Sequence, residues 1–257
     1  MQNNLFIIIQ ARMTSTRLPK KVLLPLCGKT VLEVVIDRLD KYKKNIIIAT
    51  TDDGSEKPIV DLCKSINVKY FQGSVNNVLQ RYYESAKEHG AENRDIIVRI
   101  TSDCPLIDAT MMEKVIDMYT TKNYDYVSNR IKRTVPVGLD VEVFNFKLLE
   151  YVYYNATEEF EKEHVTPYIY LSNKDNFKLG SYEEQEDNSQ YRLTLDEEKD
   201  YLTIQEVYKK FNNSLNFSYE ELISILKDND YIRQINLSVQ QKEATSVART
   251  KGESNGL

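Results

Sequence analysis

Leu5-Phe6-Ile7-Ile8-Ile9-Gln10-Ala11-Arg12-Met13-Thr14-Ser15-Thr16-Arg17-Leu18-Pro19-Lys20-Lys21 carries the first decisive signal in the chain. Its first five residues are apolar, three of them β-branched, which reads as a short strand buried on both faces. At Gln10 the character of the chain changes. The loop from Gln10 to Lys21 holds two arginines, two lysines, three hydroxyl side chains and no acid. Ligands of open α/β sheets bind beyond the carboxyl ends of the strands, where this segment begins. Loop amides can form an anion-binding concavity, arginines can grip phosphate oxygens in pairs, and a lysine can add a point charge. Charge alone fits an exposed basic loop with no ligand equally well. The spacing is not that of a Walker loop, and without a glycine the segment is no dinucleotide fingerprint.

Outward from this stretch, strand and helix signals alternate. Residues 45–50, 68–71 and 96–100 read as further strands. Helices are expected from Thr30, with Val31, Val34, Val35 and Leu39 on one face, and over residues 57–65, 76–88 and 109–119. Such alternation predicts an α/β fold: a Rossmann-like, doubly wound, mostly parallel sheet with right-handed crossovers. The second half is less regular and predicts a smaller α+β extension over residues 124–190. Strands are expected at 124–128, 139–144, 177–182 and 192–195, and helices at 148–154, 159–171, 198–210 and 219–226. One domain over residues 1–235 is expected, followed by a polar tail, 236–257.

Composition narrows the function classes. A net charge of −5 argues against a general nucleic-acid-binding role, which needs a basic face. Cys27, Cys63 and Cys104 are scattered and odd in number, so neither a disulfide framework nor a zinc site is expected. The first apolar run is too short for a signal peptide or a membrane span, and a cytoplasmic protein is expected.

Two aspartates end predicted strands: Asp103 in Thr101-Ser102-Asp103-Cys104-Pro105-Leu106-Ile107-Asp108, and Asp196 in Arg192-Leu193-Thr194-Leu195-Asp196. Either can cap the following helix. Together they can hold magnesium, which takes one or two carboxylates along with water and phosphate oxygens. By its residues alone, Ala49-Thr50-Thr51-Asp52-Asp53 reads as an ordinary polar turn, and Arg81 as a helix-surface ion pair.

Ala11-Arg12 with Ser15-Thr16-Arg17-Leu18-Pro19 and Lys21 closely resembles the CMP-sugar synthetase group of cytidylyltransferases. The spore-coat polysaccharide branch is most alike, and the CMP-Kdo and acylneuraminate enzymes are similar. A nucleotidyltransferase fold related to GT-A is therefore implied. Gly73-Ser74-Val75-Asn76-Asn77-Val78-Leu79-Gln80-Arg81-Tyr82, Gly138-Leu139-Asp140-Val141-Glu142 and Glu163-His164-Val165-Thr166-Pro167-Tyr168 extend the likeness over roughly residues 5–210. Two positions depart from it: Lys20, where the Kdo enzymes commonly have glycine, and Asn77, where aspartate is usual.

The resemblance implies transfer of CMP from CTP to a sugar or sugar-like, acidic acceptor, with loss of pyrophosphate, in polysaccharide or glycoconjugate synthesis. It implies that Arg12, Arg17, Lys21 and Asp103 do the chemistry, with magnesium on Asp103 and Asp196. The nucleotide would be held by Gln10, Ala11, Ser15, Thr50, Asp52, Gly73, Ser74, Arg81 and Ser102. The acceptor would be held by Arg130, Arg133, Asp140, Glu142 and His164. Asp200 is expected on a helix surface. Partners would be CTP and the acceptor, with no nucleic acid and no membrane; a homodimer is common in relatives. Two rival readings are a glycosyltransferase using a nucleotide sugar, ranked behind because the Asp-x-Asp metal motif usual in those enzymes is expected to be missing from this chain, and a non-catalytic nucleotide-binding scaffold.

Overall fold

The computed structural model describes residues 3–241. Strands β1 (Leu5–Gln10), β4 (Ile46–Thr51), β5 (Lys69–Gly73) and β6 (Ile96–Thr101) pair in parallel, with β1 between β4 and β6. The short hairpin β2 (Pro25–Leu26) and β3 (Lys29–Thr30) stands apart as a two-stranded sheet. Three further strands continue the main sheet: β7 (Tyr126–Ser128), β8 (Glu142–Asn145) and β9 (Leu179–Ser181). The order is β5-β4-β1-β6-β8-β7-β9, with β8 antiparallel to both neighbours and β7 parallel to β9. The sheet is thus mostly parallel. Its central strands are mainly apolar, Arg99 in β6 apart, because helices cover both faces.

On one face lie α1 (Val31–Arg38), α2 (Lys57–Ser65) and α4 (Ala109–Thr121), which bury Leu32, Val35, Ile59, Met112 and Val115. On the other lie α3 (Val78–Glu88), α5 (Phe146–Asn155) and α6 (Glu159–His164), around Leu79, Tyr82, Leu149 and Val165. The far side of α1 packs on a third layer of α7 (Glu198–Lys210), α8 (Tyr219–Asp228) and α9 (Asp230–Asn236). Local sequence sets the helix starts. Thr30 and Glu33 form a reciprocal cap for α1, and Asn77 and Asp108 each accept an amide hydrogen bond at the starts of α3 and α4. Asn77, one of the two departures from the resembled pattern, therefore does the capping that an aspartate would do. Among the described residues no helix is long and apolar enough to cross a membrane.

Three expectations for the second half need correction. The helix expected over 159–171 stops at His164, because Val165 has φ +73°, which a helix cannot continue through; a separate π-helical turn, Tyr168–Ser172, comes after it. The strand expected at 192–195 is an extended segment with one bridge, Val137 to Arg192. The strand expected at 139–144 begins only at Glu142, since Gly138 (φ +104°) turns the chain first. Of the expected tail, residues 242–257 lie outside the described residues. Its first residue, Asn236, closes α9 and is buried against the domain.

Candidate functional site

The carboxyl ends of β1 and β6 open into a cleft of about 390 Å³. Its floor is made where the two strands run side by side, and the Ser102 amide donates to the Gln10 carbonyl at 3.1 Å to hold their ends together. Gln10, Ala11, Arg12, Ser15, Arg17 and Lys21 line it from the first loop; Ser102 and Asp103 line it from the end of β6. The loop folds back through an amide bond from Lys20 to the Met13 carbonyl, 2.9 Å. Lys20 does this with φ +58°, in the left-handed region. That is why glycine suits this position, and why a lysine here carries backbone strain.

Asp196 reaches the same place from the far end of the chain. The Leu195 amide donates to the Asp103 carbonyl at 2.8 Å, and the Leu193 amide to the Val137 carbonyl at 2.6 Å. The extended segment is thereby laid against both the β6 end and the turn at Gly138. A side chain at Gly138 would meet the Leu193 and Thr194 backbone at 2.4 Å, so only glycine allows this approach. The result is a three-residue centre. The Lys21 ammonium donates to Asp103 Oδ2 (2.9 Å), Asp196 Oδ1 (3.0 Å) and the Leu195 carbonyl (2.7 Å). Burial alone would lower the Lys21 pKa, but the two carboxylates outweigh it and the net shift is upward. Burial opposes ionisation of Asp103 too, yet Lys21 and the Thr101 hydroxyl bring its pKa below the usual carboxylate range. Arg17 adds a second cation, 3.0 Å from Asp196 Oδ2 and 3.3 Å from Glu197.

Asp200 is not on a helix surface, as the sequence suggested, but fully buried. Its carboxylate accepts from the Asp196 and Glu197 amides, from two nitrogens of Arg192, and from Asn236. The cause is its place in the first turn of α7, where free amide groups and helix polarity favour an acid. Arg192 also binds Asp196 Oδ2 at 3.1 Å.

Across the cleft stands Arg81 on α3. It is 1% exposed, yet its Nε and Nη1 have no hydrogen-bond partner. Burial lowers its pKa, and nearby Arg12 adds to that. A buried guanidinium with bare donors is costly unless something supplies acceptors.

The remaining wall comes from the second half. Arg130, Asp140 and His164 line the cleft; Arg133 and Glu142 do not. Arg133 grips both oxygens of Asp140, at 2.6 and 3.1 Å. Glu142, 1% exposed, lies behind the wall and accepts from Arg99, Arg130 (2.9 Å), Tyr126 (2.6 Å) and Thr166. Burial resists its ionisation, but Arg99 and Arg130 win and hold its pKa at about 2. Burial lowers the His164 pKa, an effect that Arg99 and Arg130 reinforce against Glu163.

Thr50, Asp52, Gly73 and Ser74 also stay out of the lining. Thr50 is fully buried in β4, and Gly73 packs against the Arg81 stem, where an added side-chain carbon would lie 3.2 Å from Arg81 Cγ. Arg99 lines the cleft although it is not among the site residues expected from sequence. Its signal is a lone charge inside Ile96-Ile97-Val98-Arg99-Ile100, a strand otherwise wholly apolar.

Two oxygens, from Asp103 and Asp196, converge on one cationic point. These are hard donors of the kind magnesium takes, so the residues fit that ion. Among the described residues no group of three or more His, Cys, Asp or Glu side chains could hold a metal, so other ligands would come from water and phosphate. The chain does contain one Asp-x-Asp, Asp228-Asn229-Asp230, at the junction of α8 and α9; it lines no part of the cleft.

The family model for Cytidylyltransferase matches residues 6–243. The chain is 40% identical over 244 residues to an uncharacterized protein of Methanocaldococcus jannaschii, covering 93% of this chain and 97% of the relative. It is 32% identical over 246 residues to the spore coat polysaccharide biosynthesis protein SpsF of Bacillus subtilis, covering 88% and 95%. A solved cytidylyltransferase from Leptospira borgpetersenii superposes with a TM-score of 0.85 at 35% identity, over 94% of this chain and 100% of the other.

Proposed function

The chain belongs to the cytidylyltransferase family, and on that premise we propose that it transfers CMP from CTP to an acidic sugar or sugar-like acceptor, releasing pyrophosphate, in the synthesis of a surface polysaccharide or glycoconjugate. The observation that carries this reading is the meeting of Lys21, Asp103 and Asp196 in one cleft with the unpartnered Arg81.

The chain's own residues account for binding and charge. Arg12, Arg17 and Lys21 hold the triphosphate and offset the negative charge that grows on the departing pyrophosphate. Arg81 offers its bare Nε and Nη1 to the O2 and N3 acceptors of cytosine. Arg99 and Arg130 face an acidic group on the acceptor, while Asp140 and His164 meet its hydroxyls. Glu142 and Arg133 act from behind, by holding Arg99, Arg130 and Asp140 in place. The acceptor oxygen attacks the α-phosphorus in line as the bond to the β-phosphate oxygen breaks. Asp103 and Asp196 would hold magnesium, which when bound would neutralise phosphate charge and favour ionisation of the acceptor hydroxyl. A cytoplasmic homodimer belongs to the same reading.

The test is a pyrophosphate-release screen of CTP, UTP, GTP and ATP, each with a panel of 2-keto sugar acids and sugar or polyol phosphates. Release with CTP and a keto acid is expected. Release only with UTP or GTP would sink the cytidyl assignment, and release only with a phosphorylated acceptor would sink the acidic-sugar assignment.

A further inference from the structure

The centre of the cleft poses a conflict. Lys21 is expected on phosphate and the two aspartates on a metal ion, yet here they are bound to one another. An ammonium has three donors. Those of Lys21 meet Asp103 Oδ2, Asp196 Oδ1 and the Leu195 carbonyl, so none is left over. The other carboxylate oxygens are also taken. Asp103 Oδ1 accepts from the Thr101 hydroxyl at 2.5 Å; Asp196 Oδ2 is shared by Arg17 and Arg192. A divalent ion drawn to this acidic pair would find its ligands engaged and a buried cation at their point of convergence.

We propose that Asp103 and Asp196 form a single cation position for which Lys21 and a divalent ion compete, so that Lys21 is a determinant of metal binding as well as a phosphate ligand. Two positive charges cannot share so small a space without strong repulsion. The phosphate loop carries two of the three cations on this pair, since Arg17 and Lys21 lie on one segment folded back at Lys20; of the pair's oxygens the third, Arg192, holds only Asp196 Oδ2. A polyphosphate offers those side chains new partners and frees Asp103 Oδ2 and Asp196 Oδ1 in the same event. The bare protein therefore holds a divalent ion weakly, and ion and triphosphate load together. This rests on the nucleotidyl-transfer reading only for what draws Lys21 away.

Manganese binding to the full-length protein without nucleotide tests the competition, read by the electron paramagnetic resonance signal of free Mn2+. Lys21→Gln is expected to bind Mn2+ at least tenfold more tightly than the parent chain. Adding Asp196→Asn should abolish the gain. Equal or weaker binding by the folded Lys21→Gln protein, or a gain that survives Asp196→Asn, overturns the proposal. If the variant is too unstable for titration, its melting temperature should rise more with Mn2+ than that of the parent; an equal or smaller rise counts against the idea. No turnover is involved. A chain that passes this test but releases no pyrophosphate keeps the competition and loses the proposed reaction.

Discussion

Lys20 shows how much a single backbone angle explains. It is an exposed residue held at φ +58° so that the loop can close on Met13 and turn Lys21 inward. This conformation costs an L-residue about 1–2 kcal/mol, whereas glycine loses about 0.5–1 kcal/mol through extra chain entropy instead. Lys20→Gly should therefore be stabilising, by about 0.5–1 kcal/mol, and raise the melting temperature by roughly 1–4 °C. A lower melting temperature would show that the Lys20 side chain has a stabilising role outweighing its strain. Arg81 makes the converse point. Its backbone is ordinary helix, and its importance lies in two buried donors that the fold leaves bare.

At the level of elements, Glu142 ties together four pieces of the second half and its neighbours: β6 through Arg99, β7 through Tyr126, the turn after it through Arg130, and the segment beyond α6 through Thr166. Its pKa is held at about 2, below the ordinary 4.5. A depressed carboxyl contributes stability above its unfolded pKa and loses it as pH falls through the folded value. The shift corresponds to about 3 kcal/mol at neutral pH. Denaturant melts between pH 5 and pH 2 should show this loss in the parent protein. Glu142→Gln should be less stable at pH 7, where Arg99 and Arg130 lose their counter-charge, and flatter across the acid range. An unchanged acid slope would remove Glu142 as its source. Val165 belongs to the same unit: its positive φ ends α6 and lets His164 face the cleft while Thr166 reaches Glu142.

For the whole molecule, charge is distributed against the average. The net charge is −5, but the cleft gathers Arg12, Arg17, Lys21, Arg81, Arg99 and Arg130. A cationic cleft in an acidic body draws anions to one place and repels them elsewhere. Saturating CTP with magnesium, at a hundredfold excess over its Kd, should add about 2.7 kcal/mol of stability, raising the melting temperature by roughly 5–10 °C. UTP at the same concentration should shift it less, because uracil presents an N–H where cytosine presents the N3 acceptor for Arg81. Equal shifts for the two nucleotides would take Arg81 out of base choice.

The amino-acid sequence alone was enough for the strand over residues 5–9, the loop behind it, the start of α1 at Thr30 and the alternation that makes a mostly parallel sheet. These depend on side-chain periodicity and turn chemistry within a few residues, which a linear reading can see. The caps offered at Asp103 and Asp196 fall instead to Asp108 and Glu197. Arg99 stood out as a charge in an apolar strand, but its place in the cleft was missed. The order and direction of β7, β8 and β9 were not, and neither was the burial of Asp200. Above all, the centre of the site was decided by tertiary structure. Lys21 meets Asp103 across 82 residues and Asp196 across 175. What joins them is backbone hydrogen bonding from the 192–195 segment to Asp103 and Val137, at a turn only glycine permits. No local pattern encodes that meeting, because the free energy that holds it comes from pairing segments far apart in the chain.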